Sequence, residues 1–572
     1  MIRFWQKLAI VGLAIVGLAI VGLAVSALAG TSAWALQDLA PTSVAAGTED
    51  PGTEDTGTED TGTEDTAAEA ALVEAVDSEP VRPVADIAYW SRQITGWTEA
   101  RREALALELF EAPSHGLPSL DAYADAILDP ARPDAERDQL AGIAYLTLAG
   151  WLEHGLLDSE TRTPRHLFDE EAEQLVRRLG WAFEAGDVGQ AIADSVPRVR
   201  DYDALRHEMM RVLAVTPIWP GVDTGPSLSR DDAGHRVDQL RTRLTAEGLL
   251  DARWQEGEPY DVRLETAVRR YQGRTNLAPT GRMDQATLRQ LNLPPDRRIG
   301  QLMANLEQRR WRTRDLGRRH IWVNLADFRL EAWEDGQLAR EHEVMVGAQA
   351  SSTPEFSEEM RYIVLNPWWG LPAGSARPRF QSFRRNPGLV RDLGFQIYNR
   401  AGEAISVYEV DWSRWGNDWP YRMSQPPGPT NPMGEVKFIF PNRFNVYIHD
   451  TTERDQFVRT RRDFSAGCIR VQDPLALAAW VLEGQDDWDR DRIDAVAAGS
   501  SPRVVWLDER IPVHIAYWTV VGDDDGEVRY LNDLYRRDNG VIDAYLAAYD
   551  SRSGLGPSPV RLASGAPSAS LY

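Results

Sequence analysis

The chain carries one cysteine, Cys468, in the run Ser465-Ala466-Gly467-Cys468-Ile469-Arg470, nineteen positions after His449. A thiol within reach of an imidazole is the pairing that nucleophilic catalysis uses. The ring accepts the thiol proton, and an ion pair keeps the thiolate reactive near neutral pH. Gly467 allows a tight bend that lets backbone N–H groups face a carbonyl oxygen as it becomes negative, and one such oxyanion-hole donor contributes about 3–4 kcal/mol in measured cases. A plainer description, a buried free cysteine beside an ordinary histidine, uses the same two residues. To bring them together, a strand must end at the ring, and Asn445-Val-Tyr-Ile-His449 has that pattern. In its alternation Tyr447 shares a side with His449, as a substrate contact or equally as a core or surface tyrosine.

A single cysteine excludes any disulfide within the chain and any Cys-based zinc or iron–sulfur site. Its 572 residues are enough for about four domains. They are 43% hydrophobic and 26% charged, so most of the chain folds. The net charge of −25 argues against binding to nucleic-acid backbones.

The N-terminus points to export. Arg3 and Lys7 precede an apolar run over residues 8–29 interrupted only by Ser26, and Ala33-Trp34-Ala35 fits a signal cleavage site. A run of that length also fits an uncleaved membrane anchor, so residues 1–35 are expected to be one or the other, and the rest to be periplasmic. An exported protein that keeps one oxidisable thiol favours a chemical role for Cys468. Residues 36–80, with Gly-Thr-Glu-Asp four times at a period of five, read as an acidic low-complexity linker.

The body reads as a multidomain α+β protein. Residues 81–228 show apolar residues at helical spacing and are expected to be a helical scaffold domain. In residues 229–295 three short stripes, around Val237, Val268 and Leu288, predict a small three-helix bundle. After Pro295 short β-prone runs separated by turns predict a β-rich domain over 315–520, with residues 376–432 as a long capping insertion rich in Arg, Trp, Pro and Gly. Residues 521–572 read as a C-terminal extension, disordered from about Ser551.

Two stretches resemble known families. Arg241-x-x-Leu244, Thr266-Ala-Val-Arg-Arg-Tyr-Gln272, Leu277-x-Pro-Thr-Gly281 and Ala286-Thr-Leu288-x-x-Leu291-Asn292 are similar to the peptidoglycan-binding domain appended to wall enzymes. His449, fifteen intervening residues and Ser465-Ala-Gly-Cys468-Ile-Arg470 resemble the L,D-transpeptidase catalytic (YkuD) domain, whose pattern is His, about fifteen residues, then Ser/Thr-His-Gly-Cys. Ala466 replaces the usual second histidine, which leaves His449 as the base. Leu365-Asn-Pro-Trp-Trp369, Asn431-Pro-Met-Gly434, Arg459-Thr-Arg-Arg462 and Val513-His-Ile-Ala-Tyr517 are similar to the YcbB-like branch, which also lacks that histidine.

The resemblance implies a murein L,D-transpeptidase that makes 3→3 cross-links. Cys468 would form a thioester with a donor tetrapeptide stem and release D-alanine, with His449 as general base, Gly467 in the oxyanion hole and the backbone carbonyl of Asp450 orienting the ring. Arg470 is a candidate for a stem carboxylate, and Tyr447, Ser465, Trp368 and Trp369 for further substrate contacts. Arg454, Arg459, Arg461 and Arg462 would make the loop between base and nucleophile attractive to an anionic peptide. The implied partners are peptidoglycan stem peptides and possible wall-synthesis proteins, with no cofactor. Alternatives are an L,D-carboxypeptidase, attachment of a protein lysine to the stem, or a non-catalytic wall-binding scaffold. A zinc D,D-peptidase is disfavoured because His320, His342 and His514 have no metal-ligand spacing.

Overall fold

Helix starts in the first part of the chain are written into its polar residues. The structure, a computed structural model, describes residues 84–312, 315–371, 381–412, 420–523 and 525–550, of which 549 and 550 by backbone alone. The expected signal or anchor, the acidic linker and the tail beyond residue 550 lie outside these. Helices α1 (Ile87–Gln93), α2 (Glu99–Phe110), α3 (Asp121–Leu128), α4 (Asp134–His154), α5 (Asp169–Ala185), α6 (Val188–Ala193) and α7 (Tyr202–Val215) form the helical region. Thr98 caps α2 and Asp187 caps α6 through side-chain oxygens, while Glu171 in the first turn of α5 reaches back to the Phe168 N–H at 3.1 Å. No described helix is long and apolar enough to cross a membrane.

The bundle follows as expected, with α8 (His235–Ala246), α9 (Val262–Arg274) and α10 (Gln285–Leu291) around Val237, Leu240, Leu244, Leu264, Val268, Tyr271, Leu288 and Leu291. Asp261 and Asp284 cap α9 and α10.

The expectation that strands begin after Pro295 is corrected by α11 (Pro295–Arg310). Its Ile299, Leu302, Met303 and Leu306 keep helical spacing, but Asn305, Glu307, Gln308, Arg309 and Arg310 are buried beside them and break the amphipathic signature. Most of those polar groups are partnered, the Gln308 side-chain oxygen being the exception. Arg309 makes a bidentate pair with Asp201 at the start of α7, and Arg310 pairs with Glu307 at 2.6 Å.

The β-rich domain comprises β1 (Arg319–Asn324), β2 (Arg329–Glu334), β3 (Gln337–Gly347) and β4 (Phe356–Leu365), then the insertion, which starts before its expected residue 376 with β5 (Trp369–Gly370) and continues through α12 (Gly388–Asp392), β6 (Gln396–Tyr398), β7 (Ala404–Ile405) and β8 (Arg422–Gln425). After it come β9 (Val436–Ile439), β10 (Ile448–His449), β11 (Asp463–Ser465), β12 (Ile469–Val471), α13 (Pro474–Val481), α14 (Arg490–Ala497) and β13 (Arg503–Ala516). The order β11-β3-β12-β10-β9-β4-β13-β1-β2 closes on itself because β2 also pairs with β3, so only β11 lies outside the ring. Closure leaves few exposed edges. Ile321, Val323, Val344, Ile363, Phe438, Ile448, Ile469 and Ile515 join Leu477, Trp480 and Val481 of α13 in one core. The insertion is more ordered than its composition implied. It has its own four-stranded sheet, β5-β8-β6-β7, and its own cluster of Phe383, Val390, Phe395, Ile397, Val410 and Met423.

The C-terminal extension continues as β14 (Val520–Gly522), β15 (Val528–Tyr530) and α15 (Arg537–Asp550). Val520, Val528, Val541 and Tyr545 share one core with Leu105, Leu148 and Leu205 of the helical region and with Leu302 and Leu306 of α11. All described residues belong to one compact unit, Ala75–Tyr572.

Candidate active site

Alternation along two short parallel strands builds the site. Strand β10 pairs with β12 in the register Ile448↔Ile469 and His449↔Arg470, and the Ile469 N–H donates to Tyr447 O at 3.0 Å. Cys468, immediately before β12, is therefore beside Tyr447 across a gap of about 4.8 Å between strands. Ile448 and Ile469 are fully buried in the sheet core. Since successive side chains point to opposite faces, Tyr447, His449, Cys468 and Arg470 share the other face. The Tyr447 and His449 ring centroids are 5.6 Å apart, and the Cys468 thiol donates toward the Asn445 carbonyl oxygen at 3.8 Å.

His449 is almost wholly buried, and its Nδ1 lies 2.5 Å from the backbone carbonyl of Asp450. A carbonyl only accepts, so Nδ1 carries the proton and the neutral ring presents Nε2 as a proton acceptor. Burial, aided by Arg470 and Lys437, pushes the imidazole pKa down to about 3, against the Asp450 contact that raises it. This departs from the thiolate–imidazolium pair expected at rest. A cationic ring beside two other cations in a dry site is unfavourable, so charge separation belongs to the reaction rather than to the resting state. Lys437, opposite His449 on β9 with Nζ 3.7 Å from the Tyr447 ring centre, was not singled out from the sequence. Its place between inward Val436 and Phe438 is the alternation that would have found it.

The Asp450 carboxylate has a separate task. Its Oδ2 accepts from the Glu435 N–H and from Arg454, both at 2.8 Å. Gly434, at φ +62°, leaves room for it, since a Cβ there would be 2.1 Å from that oxygen.

The nucleophile loop is shaped by hydroxyls. Ser465 donates from Oγ to the Cys468 carbonyl at 2.5 Å and accepts from the Gly467 N–H at 3.1 Å. Two expectations change here. Ser465 is buried and committed to the loop rather than turned to substrate, and the Gly467 N–H is held inside the loop rather than facing an oxyanion. What position 467 demands is its backbone angle, φ +129°, which disfavours a side chain. Gly347, Ala348, Ser351 and Thr353, which the sequence reading passed over, hold the loop from behind.

The arginines are largely neutralised. Arg461 is bidentate on Asp463 at 2.6 and 2.7 Å, and Arg454 pairs with Asp450 and Glu435. Arg462 is buried against Glu343 and the carbonyls of Val344 and Phe328, and Arg470 pairs with Glu453 at 2.5 Å. Arg459 lies 5.4 Å from the ring centre of Phe464. The loop is therefore less positive than its arginines alone imply. Trp369 packs at a tilt against Phe395 in the insertion's own cluster, which corrects its expected place in a substrate groove, while Trp368 is 40% exposed. His514 is held by Ser357 and the Leu316 carbonyl, and no group of three or more metal-binding side chains occurs among the described residues.

Residues 318–499 match the L,D-transpeptidase catalytic domain (YkuD), residues 233–291 a peptidoglycan binding domain, and residues 87–209 a scaffold domain. A Haemophilus influenzae protein described as an L,D-transpeptidase is 28% identical over 222 residues, which are 39% of this chain and 45% of that one. The chain thus spans about half the length of this curated relative. Among solved structures, an L,D-transpeptidase from Xylanimonas cellulosilytica is 14% identical over 51% of this chain and 99% of that chain, with a TM-score of 0.17. One from Stackebrandtia nassauensis is 12% identical over 52% and 96%, with a TM-score of 0.18. Scores this low carry no weight for the site. The family matches, with the curated relative, give the chain a YkuD L,D-transpeptidase catalytic domain and a peptidoglycan-binding domain.

Proposed function

We propose that this chain, with its YkuD and peptidoglycan-binding domains, is a murein L,D-transpeptidase that forms 3→3 cross-links through a thioester on Cys468. The observation that carries the reading is the shared face of His449 and Cys468 on paired parallel strands, with the ring fixed in the tautomer that can accept a proton.

In the first step Nε2 of His449 takes the thiol proton as Sγ attacks the carbonyl on the L-centre side of the diamino-acid residue. The C–N bond to the terminal D-alanine breaks, its nitrogen recovers the proton from His449, and a thioester remains. In the second, the side-chain amine of another stem attacks the thioester. His449 accepts a proton from that amine, the C–S bond breaks, and the thiol is restored. Burial keeps the imidazole neutral at ordinary pH but lowers its basicity, so the proton moves to Nε2 only as the new bond to the carbonyl carbon forms.

Arg470 anchors a carboxylate of the stem in this reading by exchanging its contact with Glu453. The three-helix module holds the chain on the wall, and the apolar run at residues 8–29 takes it out of the cytoplasm as a signal or an anchor.

The test is product analysis with the purified protein and disaccharide-tetrapeptide donors, with and without an acceptor stem. The expected products are cross-linked dimers and free D-alanine, both lost in Cys468→Ala. Tripeptide alone, even with acceptor present, identifies a carboxypeptidase, and binding without any product identifies a wall-binding scaffold.

A further inference from the structure

Behind the nucleophile loop is a layer of contacts that the reaction as described does not use. Thr353 is fully buried. Its Oγ1 donates to the Gly467 carbonyl at 2.8 Å and accepts from the Gly347 N–H at 2.9 Å. The Gly467 carbonyl and the Cys468 N–H belong to one planar trans peptide unit and point in opposite directions. Fixing the oxygen against Thr353 therefore fixes the direction of that N–H, the next donor along the loop once Gly467 is engaged with Ser465. The backbones are tight here: a Cβ on Gly347 would lie 2.1 Å from the Ser351 oxygen and 3.1 Å from the Gly467 Cα.

The C-terminal segment holds this layer in turn. Tyr535 donates from Oη to the Gly347 carbonyl at 2.6 Å, and Arg537 donates to the Thr353 carbonyl at 2.7 Å and to Glu355 at 3.0 Å. The Tyr535 N–H donates to Tyr517 Oη at 2.7 Å, and the two rings stack with centroids 5.1 Å apart. Ten residues after Tyr535, Tyr545 in α15 donates to the Gly116 carbonyl of the helical region at 2.6 Å. A chain of hydrogen bonds and covalent links thus runs from the scaffold core to the peptide that precedes the nucleophile.

We propose that Thr353 is a positioning residue that aims the Cys468 N–H at the developing oxyanion, and that the C-terminal segment supports this aim through Tyr535 and Arg537. This rests on the acyl-transfer reading above. A hydroxyl that served packing alone would be replaceable by a methyl group of similar size. One that aims an oxyanion donor matters only for reactions that build negative charge on a carbonyl oxygen, where a lost donor costs about 10²–10³ in rate and a misdirected one part of that.

Two reactions of the same thiol separate these cases. Acylation of Cys468 by a tetrapeptide donor needs the oxyanion donor, whereas alkylation by iodoacetamide displaces iodide and needs none. Thr353→Val is expected to slow acylation about tenfold or more while alkylation stays within about twofold, and Thr353→Ser, which keeps the hydroxyl, to acylate like the unaltered protein. Tyr535→Phe is expected to show the same selective loss to a smaller degree, and it stands in if Thr353→Val fails to fold. Equal acylation in the folded variants, or acylation and alkylation falling together, overturns the inference while leaving the transpeptidase reading intact. An unaltered protein that is alkylated but never acylated overturns both.

Discussion

Protonating His449 would add a third positive charge beside Arg470 and Lys437 in a buried site, and this sets the pH behaviour of the protein. Its folded pKa of about 3 lies below the ordinary histidine value, so the acid limb of kcat/KM for acylation should show no His449 inflection near pH 6.5. A pH–rate series from 5 to 8 checks this, and a clear loss of rate centred near 6.5 would contradict it. The same depression links to folding. The neutral buried ring contributes stability above the unfolded pKa, and that contribution is lost as pH falls from about 6.5 toward 3, so urea midpoints should drop across that window, less so in His449→Gln. Glu453 is more than half exposed where it meets Arg470. Exposed pairs are worth about 0.2–1 kcal/mol, so Glu453→Gln should lower KM for the stem by up to about fivefold if Arg470 binds its carboxylate. An unchanged KM removes Arg470 from that role. At this scale the pair was legible: a lone cysteine after a glycine and a histidine ending a strand-like run are local patterns. Thr353 and Lys437 were not, because a threonine or lysine in a β-prone region is ordinary until the register shows what it faces.

Strands of two or three residues carry the site, and their glycines matter more than their length suggests. Gly434 makes room for the Asp450 carboxylate that fixes the turn after His449. Gly434→Ala combines a left-handed backbone angle with a clash and should cost more than about 1 kcal/mol in urea denaturation, with a loss of acylation rate that follows the displaced Asp450 carbonyl. Stability and rate equal to the unaltered protein would show that the turn tolerates a side chain. The long strands of the catalytic domain were readable as alternating apolar runs, as were the stripes of the three-helix bundle. Helix α11 was not, since its buried face mixes Ile299 and Leu306 with Asn305, Glu307 and Arg309. The insertion's sheet escaped because strands of two to four residues leave too little periodicity to detect.

Across the whole molecule, the helical region, α11 and the C-terminal segment share one core, a relation between residues hundreds of positions apart that no local pattern encodes. The Arg309–Asp201 pair sits at that junction, with Arg309 also donating to the Val520 carbonyl at 2.8 Å. Asp201→Ala leaves a buried guanidinium without its carboxylate and should cost about 3–5 kcal/mol by urea denaturation. A change below about 1 kcal/mol would mean that the junction tolerates an unpaired charge. The central claim is that this assembly presents one thiol for acyl transfer from the cell wall. The most direct measurement is peptide mapping by mass spectrometry after mixing the protein with excess tetrapeptide donor and quenching in acid. The account predicts a stem fragment lacking D-alanine, bound to the peptide that contains Cys468 and strongly reduced in His449→Gln. An adduct on another residue, or cross-linking that persists in Cys468→Ala, would contradict it.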